Sequence, residues 1–166
     1  MRGNEEFERW FRSLYPRAYR IALRIVDSST EAEDAVAEAF SRALLRWRKV
    51  GELDYRDAWL LRVTANVAID VVRRRMRAPV LVAPPEESES DLSDRIYLLG
   101  ALTTLPARQR DVLVLRYFAD LTDEDIARCL SMASGTVKSH VHRGLVRMRQ
   151  RLAEAGEEVP LALDAL

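Results

Sequence analysis

The residues best suited to chemistry lie near the C-terminus, where the chain is basic. Residues 136–151 contain one lysine, four arginines and no acid. At helical spacing, their apolar residues fall on one face and their cationic and hydroxyl side chains fall on the opposite face. Such a surface can hold phosphates and contact base edges. We call it the basic face; its members are Thr136, Lys138, Ser139, His142, Arg143 and Arg147.

The segment before this helix has the form of a helix-turn-helix. A short helix is predicted from Asp123 to Leu130, with Thr122 as its N-cap, and a turn over residues 131–134 leads into the long basic helix. Ala127 is small enough for the two helices to pack closely. The pattern favours insertion of the second helix into the DNA major groove. The alternative is an ordinary amphipathic helix with a solvated basic side.

A second patterned surface is acidic and lies in the first half of the chain. A helix is predicted to start after the capping residues Ser28, Ser29 and Thr30 and to run to about Trp47, with Leu44 in its apolar stripe. Asp34 and Glu38 are four residues apart on this helix, with Glu31 close by. Like charges at this spacing destabilise a helix slightly, and Arg42 can offset part of the repulsion. Taken alone, this acidic ridge (Glu31, Asp34, Glu38 and Arg42) favours a solvated surface.

A third patterned surface lies on the helix predicted from Arg56 to Met76. Most residues in its first four turns are apolar, so the helix must be largely buried. A mixture of asparagine, aspartate and arginine suits a surface that discriminates bases, and a solvent-facing edge is the alternative. We call this stripe the polar edge; it comprises Arg62, Asn66, Asp70, Arg73 and Arg77.

Neither a metal site nor a catalytic site is predicted. His140 and His142 are two residues apart on a helix, so they point in different directions. Cys129 is the single cysteine, which excludes an internal disulfide and favours a small buried residue over a redox sensor. We find no nucleophile–base pair and no cofactor motif, and therefore predict a protein that is not an enzyme and needs no cofactor.

Composition indicates a soluble protein of the cytoplasm. The 166 residues are 48% hydrophobic and 31% charged, and no apolar run approaches the roughly 20 residues that span a bilayer. The acidic N-terminus lacks the apolar core of a signal peptide. The formal net charge is zero, yet positive charge is concentrated in residues 73–77 and 136–151. Such clustering matters more than the total for binding phosphates.

The predicted fold is all-α, with two small helical domains. Residues 78–92 contain three prolines and most of an acid cluster, which favours a flexible linker. About 15 extended residues reach roughly 50 Å, so the two halves need not touch. Pro16 is expected to split or kink the first helix, over residues 4–26. The predicted boundaries are domain 1–77, linker 78–92, domain 93–154 and tail 155–166.

Four stretches resemble parts of the bacterial sigma factors. IARCLSMASGTVKSHVHRG and the preceding LPARQRDVLVLRYFADLTDEDIA resemble the helix-turn-helix that binds the duplex −35 element. AEDAVAEAF resembles the helix that binds the β′ clamp helices of RNA polymerase, and WLLRVTANVAIDVVRRRMR resembles the −10 recognition helix. The similarity covers residues 5–77 and 93–153 without the additional domains of larger members, and this indicates the small extracytoplasmic-function type.

The resemblance implies a role for each surface. The acidic ridge would bind core RNA polymerase, the polar edge would hold the melted −10 strand, and the basic face would bind the −35 duplex. The implied partners are core polymerase (β′ clamp helices and β subunit), promoter DNA and, in many members, an anti-sigma factor, with no membrane insertion. The loop before the third helix could add Arg48, Lys49, Tyr55 and Arg56.

Three positions depart from the family pattern, and two other functions remain open. Ala37, Ser131 and His140 stand where glutamine, glycine and arginine respectively are usual. A backbone strained at position 131 would cost more for serine than for glycine. One alternative function is a stand-alone helix-turn-helix regulator that binds DNA as a dimer. The other is a sigma-like protein that only binds an anti-sigma partner.

Overall fold

A computed structural model describes residues 2–77 and 89–154, and every regular element in these ranges is an α-helix. The predicted all-α class is therefore confirmed. None of the helices in the described ranges is both long enough and apolar enough to cross a bilayer. In chain order they are α1 (Arg2–Val26), α2 (Ser29–Leu45), α3 (Trp47–Val50), α4 (Arg56–Arg77), α5 (Glu89–Thr104), α6 (Ala107–Tyr117), α7 (Asp123–Leu130) and α8 (Ser134–Glu154).

Helices α1, α2 and α4 pack against one another and form the N-terminal unit. Each helix contributes alanines and branched apolar residues at helical spacing, and the alanines let neighbouring helices approach closely. Removing this apolar surface from water is the main stabilising contribution to the unit. Fully buried examples are Ala22 and Ile25 of α1, Val36 and Ala39 of α2, and Leu61 and Ala65 of α4.

An aromatic cluster closes one end of the N-terminal unit and sets the start of α4. The ring of Trp10 lies 5.5 Å from that of Phe40 and 5.1 Å from that of Trp47, measured between centroids. The indole Nε1 of Trp10 donates a hydrogen bond of 2.6 Å to Oδ1 of Asp57. Because Asp57 lies in the first turn of α4, this bond ties the beginning of that helix to α1.

Helix α1 is continuous through Pro16, so the expected split is wrong. Proline lacks the N–H that would bond to the preceding turn, which is why a break was expected. The neighbouring Leu14 and Ala18 are both buried against the rest of the unit. Their packing holds the helix together across the missing hydrogen bond.

Helix α2 ends before Trp47, earlier than its pattern predicts. Its start agrees with the sequence: the Ser28 side chain caps it by accepting a hydrogen bond from the N–H of Glu31. At its other end Leu44, which the pattern assigns to the buried stripe, is 50% exposed. Its neighbour Leu45 is 87% exposed. The last turn of α2 therefore presents apolar side chains to solvent.

Helices α5 to α8 form the C-terminal unit, in which α8 packs against α5, α6 and α7. The helices α6 and α8 are very close at Gly144, where a β-carbon would stand 2.9 Å from Cδ1 of Leu113. A larger residue at position 144 would therefore require the Leu113 side chain to move. The buried core of the unit includes Val112, Leu115, Ile126, Leu130, Val137 and Leu145.

The two units are in contact, although the predicted linker is long enough to separate them. Helix α4 packs against α5, α6 and α7 of the C-terminal unit. The guanidinium of Arg24 lies 5.2 Å from the ring centroid of Phe118, and Arg95 forms a 2.8 Å ion pair with Asp27. Helix α5 begins at Glu89, inside the predicted linker; residues 78–88 of that linker and the predicted tail, 155–166, lie outside the described residues.

The turn between α7 and α8 is made by a serine in the left-handed region. Ser131 has φ 52° and ψ 53°, and the N–H of the next residue, Met132, donates a 3.0 Å hydrogen bond to the carbonyl of Ala127. This geometry ends a helix, and glycine is the residue that usually adopts it because it has no β-carbon. The strain expected at this position is therefore present in the backbone.

We predict that Ser131→Gly raises the free energy of unfolding by about 0.5–1 kcal/mol, because glycine relieves the left-handed strain and loses only part of that gain to chain entropy. Ser139→Gly, in the interior of α8, is the matched control and should lower it by about 0.5 kcal/mol, because glycine has a lower helix propensity than serine. Urea unfolding of the full chain, followed by circular dichroism, measures both values. A Ser131→Gly chain that is less stable than the wild type would contradict the assignment.

Candidate nucleic-acid and protein interfaces

The basic face is assembled on α8 as the sequence predicts. Thr136, Lys138 and Ser139 are exposed, and so are His142, Arg143 and Arg147. The opposite side of α8 is anchored in the C-terminal unit by apolar residues that include Val137 and Met148. The whole cationic side of the helix therefore faces solvent.

Hydrogen bonds within the C-terminal unit orient two arginines of the basic face. The Nε of Arg143 donates a 3.2 Å hydrogen bond to the carbonyl of Ser139, and Nη1 of Arg147 donates a 3.3 Å bond to Oε1 of Gln109. Each bond uses one of the five N–H donors of a guanidinium, so most of the donor capacity faces outward. This arrangement can hold phosphates and contact base edges of a duplex.

Helix α7 supports α8 and is capped at Thr122. The side chain of Thr122 accepts a 3.2 Å hydrogen bond from the N–H of Asp125 and donates a 2.9 Å bond to Oδ2 of the same residue. The hydrogen bond from Thr122, followed by that from Arg128, holds the pKa of the Asp125 carboxyl below its ordinary value. Asp123 in the same turn is paired with Arg116 of α6, which ties α7 to the rest of the unit.

The polar edge lies along one side of α4, and part of it is covered. Arg62, Asn66 and Arg73 are half-buried, whereas Asp70 and Arg77 are exposed. The five residues share one side of the helix because they follow one another at steps of three or four residues.

The covering residues of the polar edge come from the C-terminal unit. The Nδ2 of Asn66 donates a 2.9 Å hydrogen bond to Oδ1 of Asp111, and Nη1 of Arg62 lies 3.9 Å from Oδ2 of the same carboxylate. The Nη2 of Arg73 donates a 3.2 Å bond to the carbonyl of Thr103. Sequence reasoning missed Asp111, since its partners lie more than 40 residues away along the chain and no spacing pattern connects them.

The acidic ridge lies along α2, and two of its acids are already paired. Glu38 forms a 2.8 Å ion pair with Arg42, and Glu31 pairs with Arg75 of α4. Asp34 is exposed. Leu45 lies seven residues after Glu38, on the same side of the helix, and extends the ridge with an exposed apolar residue. Continuing the ridge at helical spacing would have identified Leu45 from the sequence.

The segment predicted as a loop before α4 contains the short helix α3. Arg48 and Lys49 lie on that helix and are exposed. Arg56 is held in place: its Nη1 donates hydrogen bonds of 2.9 Å to Oε1 of Glu6 and 3.0 Å to the carbonyl of Gly51. Tyr55 is half-buried. Arg48 and Lys49 are therefore the cations of this segment that face solvent.

The cysteine and the two histidines belong to no metal-binding group in the part of the chain that the structure describes. Cys129 is buried, and burial raises the pKa of its thiol, which keeps it protonated. His142 is exposed and His140 is half-buried. Within residues 2–77 and 89–154, no group of three or more histidine, cysteine or acidic side chains is arranged to hold a metal ion.

The two units match two protein-family models. The model described as "Sigma-70 region 2" matches residues 10–78, and the model described as "Sigma-70, region 4" matches residues 95–148. The first match includes the acidic ridge and the polar edge. The second includes the basic face and Asp111.

Characterised proteins and a solved structure resemble the chain over most of its length. The RNA polymerase sigma-E factor of Streptomyces coelicolor is 33% identical over 152 residues, covering 89% of this chain and 86% of the relative. The ECF RNA polymerase sigma factor SigL of Mycobacterium tuberculosis is 34% identical over 149 residues, covering 83% and 84%. The sigma factor RpoE of Bartonella quintana, solved in complex with the anti-sigma factor NepR, matches with a TM-score of 0.53 at 25% identity over 90% of this chain and 98% of that one.

We predict that Thr122→Ala raises the pKa of Asp125 and lowers the free energy of unfolding by about 1 kcal/mol, because it removes the N-cap and the hydroxyl that stabilises the carboxylate. The folded pKa of Asp125 is lowered, so its carboxylate stabilises the fold above the unfolded pKa, and this contribution is lost as pH falls through the folded pKa. Thr122→Ser keeps the hydroxyl and should change neither quantity. Carboxyl-carbon NMR titration reads the pKa directly, and an unshifted Asp125 in Thr122→Ala would contradict the cap assignment.

Proposed function

Since the chain belongs to the RNA polymerase sigma factors of the extracytoplasmic-function type, we propose that each of its three patterned surfaces has one task in transcription initiation. The chain binds core RNA polymerase and directs initiation from particular promoters. This function is supported mainly by the two family matches, which follow one another along the chain, one on each helical unit.

The acidic ridge is proposed as the anchor on core polymerase. In this family the corresponding helix binds the basic β′ clamp helices, and Asp34 and Glu38 are exposed at positions that can meet such a surface. The exposed Leu45 adds an apolar contact, which an interface centre usually needs alongside its charges. The alanine at position 37 removes one polar contact that a glutamine would make.

The basic face is proposed to bind the −35 element as duplex. The first turns of α8 approach the base edges in a helix-turn-helix, and their exposed residues here are Thr136, Lys138, Ser139, His142 and Arg143. Arg147 lies one turn later and suits a phosphate contact. Cationic side chains bound to phosphates release counterions, so binding should weaken as salt concentration rises.

The polar edge is proposed to hold the melted −10 strand. An unstacked base exposes hydrogen-bonding groups that an asparagine or aspartate can pair with, and arginines hold the phosphates between bases. Asn66 and Asp70 supply the first kind of group and Arg73 and Arg77 supply the second. Arg48 and Lys49 on α3 are exposed near the start of α4 and extend the cationic surface.

Binding energy alone drives promoter opening in this proposal. The strand is held only after it separates, so each contact to an unpaired base favours the open state. No step uses a nucleophile or a cofactor, and the protein is proposed to act as a non-enzymatic subunit in the cytoplasm, where it meets polymerase. An anti-sigma factor is a further proposed partner, since the related RpoE was solved bound to one.

The function is tested by run-off transcription with purified core polymerase. We expect transcripts from a defined set of promoters only when the chain is added. A stand-alone regulator would instead bind its operator tightly without polymerase, and a protein that only binds an anti-sigma factor would give no transcripts. Either of those outcomes would overturn the proposal.

We predict that Arg143→Ala weakens binding to −35 duplex about tenfold and leaves core binding unchanged, because one base or phosphate contact is lost. Arg12→Ala, an equal loss of charge at an exposed site on α1, is the control and should change neither. Fluorescence anisotropy with promoter duplex measures DNA binding, and a pull-down with core polymerase measures core binding. Equal weakening by both variants would mean that net charge, rather than the basic face, determines DNA binding.

We predict that Glu38→Lys reduces core binding at least tenfold and leaves duplex binding intact, because it places a cation against a basic partner surface. Glu33→Lys makes the same charge reversal at an exposed position on another side of α2 and should retain core binding. Circular dichroism checks that α2 remains folded in both variants. If Glu38→Lys still holds core with normal affinity, the anchor lies elsewhere.

A further inference from the structure

The first half of the polar edge is occupied by the chain itself. The carboxylate of Asp111 accepts a 2.9 Å hydrogen bond from Nδ2 of Asn66 and lies 3.9 Å from Nη1 of Arg62. The Asp111 side chain is only 13% exposed and that of Arg62 is 26% exposed. An acceptor from α6 thus stands where the proposed function requires an acceptor from DNA.

The contact resembles recognition of a base edge in its chemistry. The amide of Asn66 offers one donor side and one acceptor side. The donor side meets the Asp111 carboxylate, and the acceptor side receives a 3.4 Å hydrogen bond from Nε of Arg110. Two adjacent residues of α6 therefore pair with both sides of the amide that is proposed to pair with a base.

Several further contacts hold the C-terminal unit in this position. The guanidinium of Arg73, also on the polar edge, donates to the carbonyl of Thr103 at the end of α5. On the α1 side, Arg17 donates to the carbonyl of Ala119, and Arg95 donates a 2.6 Å bond to the carbonyl of Arg24. These hydrogen bonds and ion pairs act together with the packing of α4 against α5, α6 and α7.

The two DNA surfaces are in opposite states in this arrangement. Every residue of the basic face is exposed, whereas Arg62, Asn66 and Arg73 of the polar edge have partners in the C-terminal unit. With the units in contact, the proposed duplex-binding surface is therefore free, and three of the five residues of the proposed strand-binding surface are covered.

We propose that Asp111 is an internal competitor of the −10 strand: in the free chain it locks the C-terminal unit over Arg62 and Asn66, and strand capture requires this lock to open. The inference rests on the proposed function of the polar edge. A site that is open in only a fraction of molecules binds its ligand with an affinity reduced by that fraction. The lock would thus keep the free chain from holding single strands before it reaches polymerase.

The test compares Asp111→Ala with Glu124→Ala in the full-length chain. Both remove one carboxylate from a helix of the C-terminal unit, but Glu124 is exposed on α7 and belongs to none of the contacts between the units described above. Spin labels at cysteines introduced in place of Glu33 and Gln150, both exposed, report the distance between the units; buried Cys129 is first replaced by alanine. A fluorescein-labelled pool of random single-stranded oligonucleotides reports strand binding.

We expect Asp111→Ala to broaden the distance distribution towards longer values and to tighten strand binding about tenfold, because Arg62 and Asn66 are released. Glu124→Ala should do neither. As a second variant, Asp111→Arg places like charge against Arg62 and should open the units at least as far.

Two results would overturn the lock, and they are distinguishable from failure of the proposed function. An unchanged distance distribution in both Asp111 variants would show that Asp111 does not hold the units together, whatever the chain does in transcription. Open units without tighter strand binding would show that Asp111 does not guard a strand site. In that case the failure lies in the assignment of α4, which run-off transcription with Asn66→Ala would reveal separately.

Discussion

The packing of α4 between the two helical units is the constraint on which the rest of the structure depends. Its apolar residues pack against α1 and α2 of one unit and against α5, α6 and α7 of the other. Between residues 58 and 73, the charged side chains of α4 lie only on the strip that remains, because a buried charge without a partner is costly. The polar edge is that strip, and its polar side chains lie along a single line on the helix surface.

The same constraint explains why the two proposed DNA-binding surfaces differ in exposure. Helix α8 needs only one apolar side to dock on its unit, so its whole cationic side is left to solvent. Helix α4 lies between the two units. A side chain of the C-terminal unit that binds the polar edge therefore competes with the proposed ligand, the −10 strand. Asp111 fits because it places one carboxylate between a guanidinium and an amide. One surface is thus constitutively available, and the other depends on how the two units are arranged.

Sequence reasoning recovered what depends on local periodicity and missed what depends on long-range contact. The 3.6-residue period identified α1, α2, α4 and α8, and the caps Ser28 and Thr122 marked the helix starts found in the structure. The split at Pro16 was wrong because packing on both sides outweighs one missing hydrogen bond. The exposure of Leu44 and the partnership of Asp111 could not be predicted, since both depend on which helices pack together.

Photocrosslinking from the polar edge of α4 tests most directly whether this edge contacts the opened promoter strand. A photoreactive amino acid replaces exposed Asp70, and in a control chain it replaces exposed Arg20 on α1. In initiation complexes with core polymerase, the account predicts that position 70 crosslinks to the non-template strand of the −10 element and that position 20 does not. A crosslink from position 70 to duplex DNA alone, or none in complexes that transcribe, would contradict it.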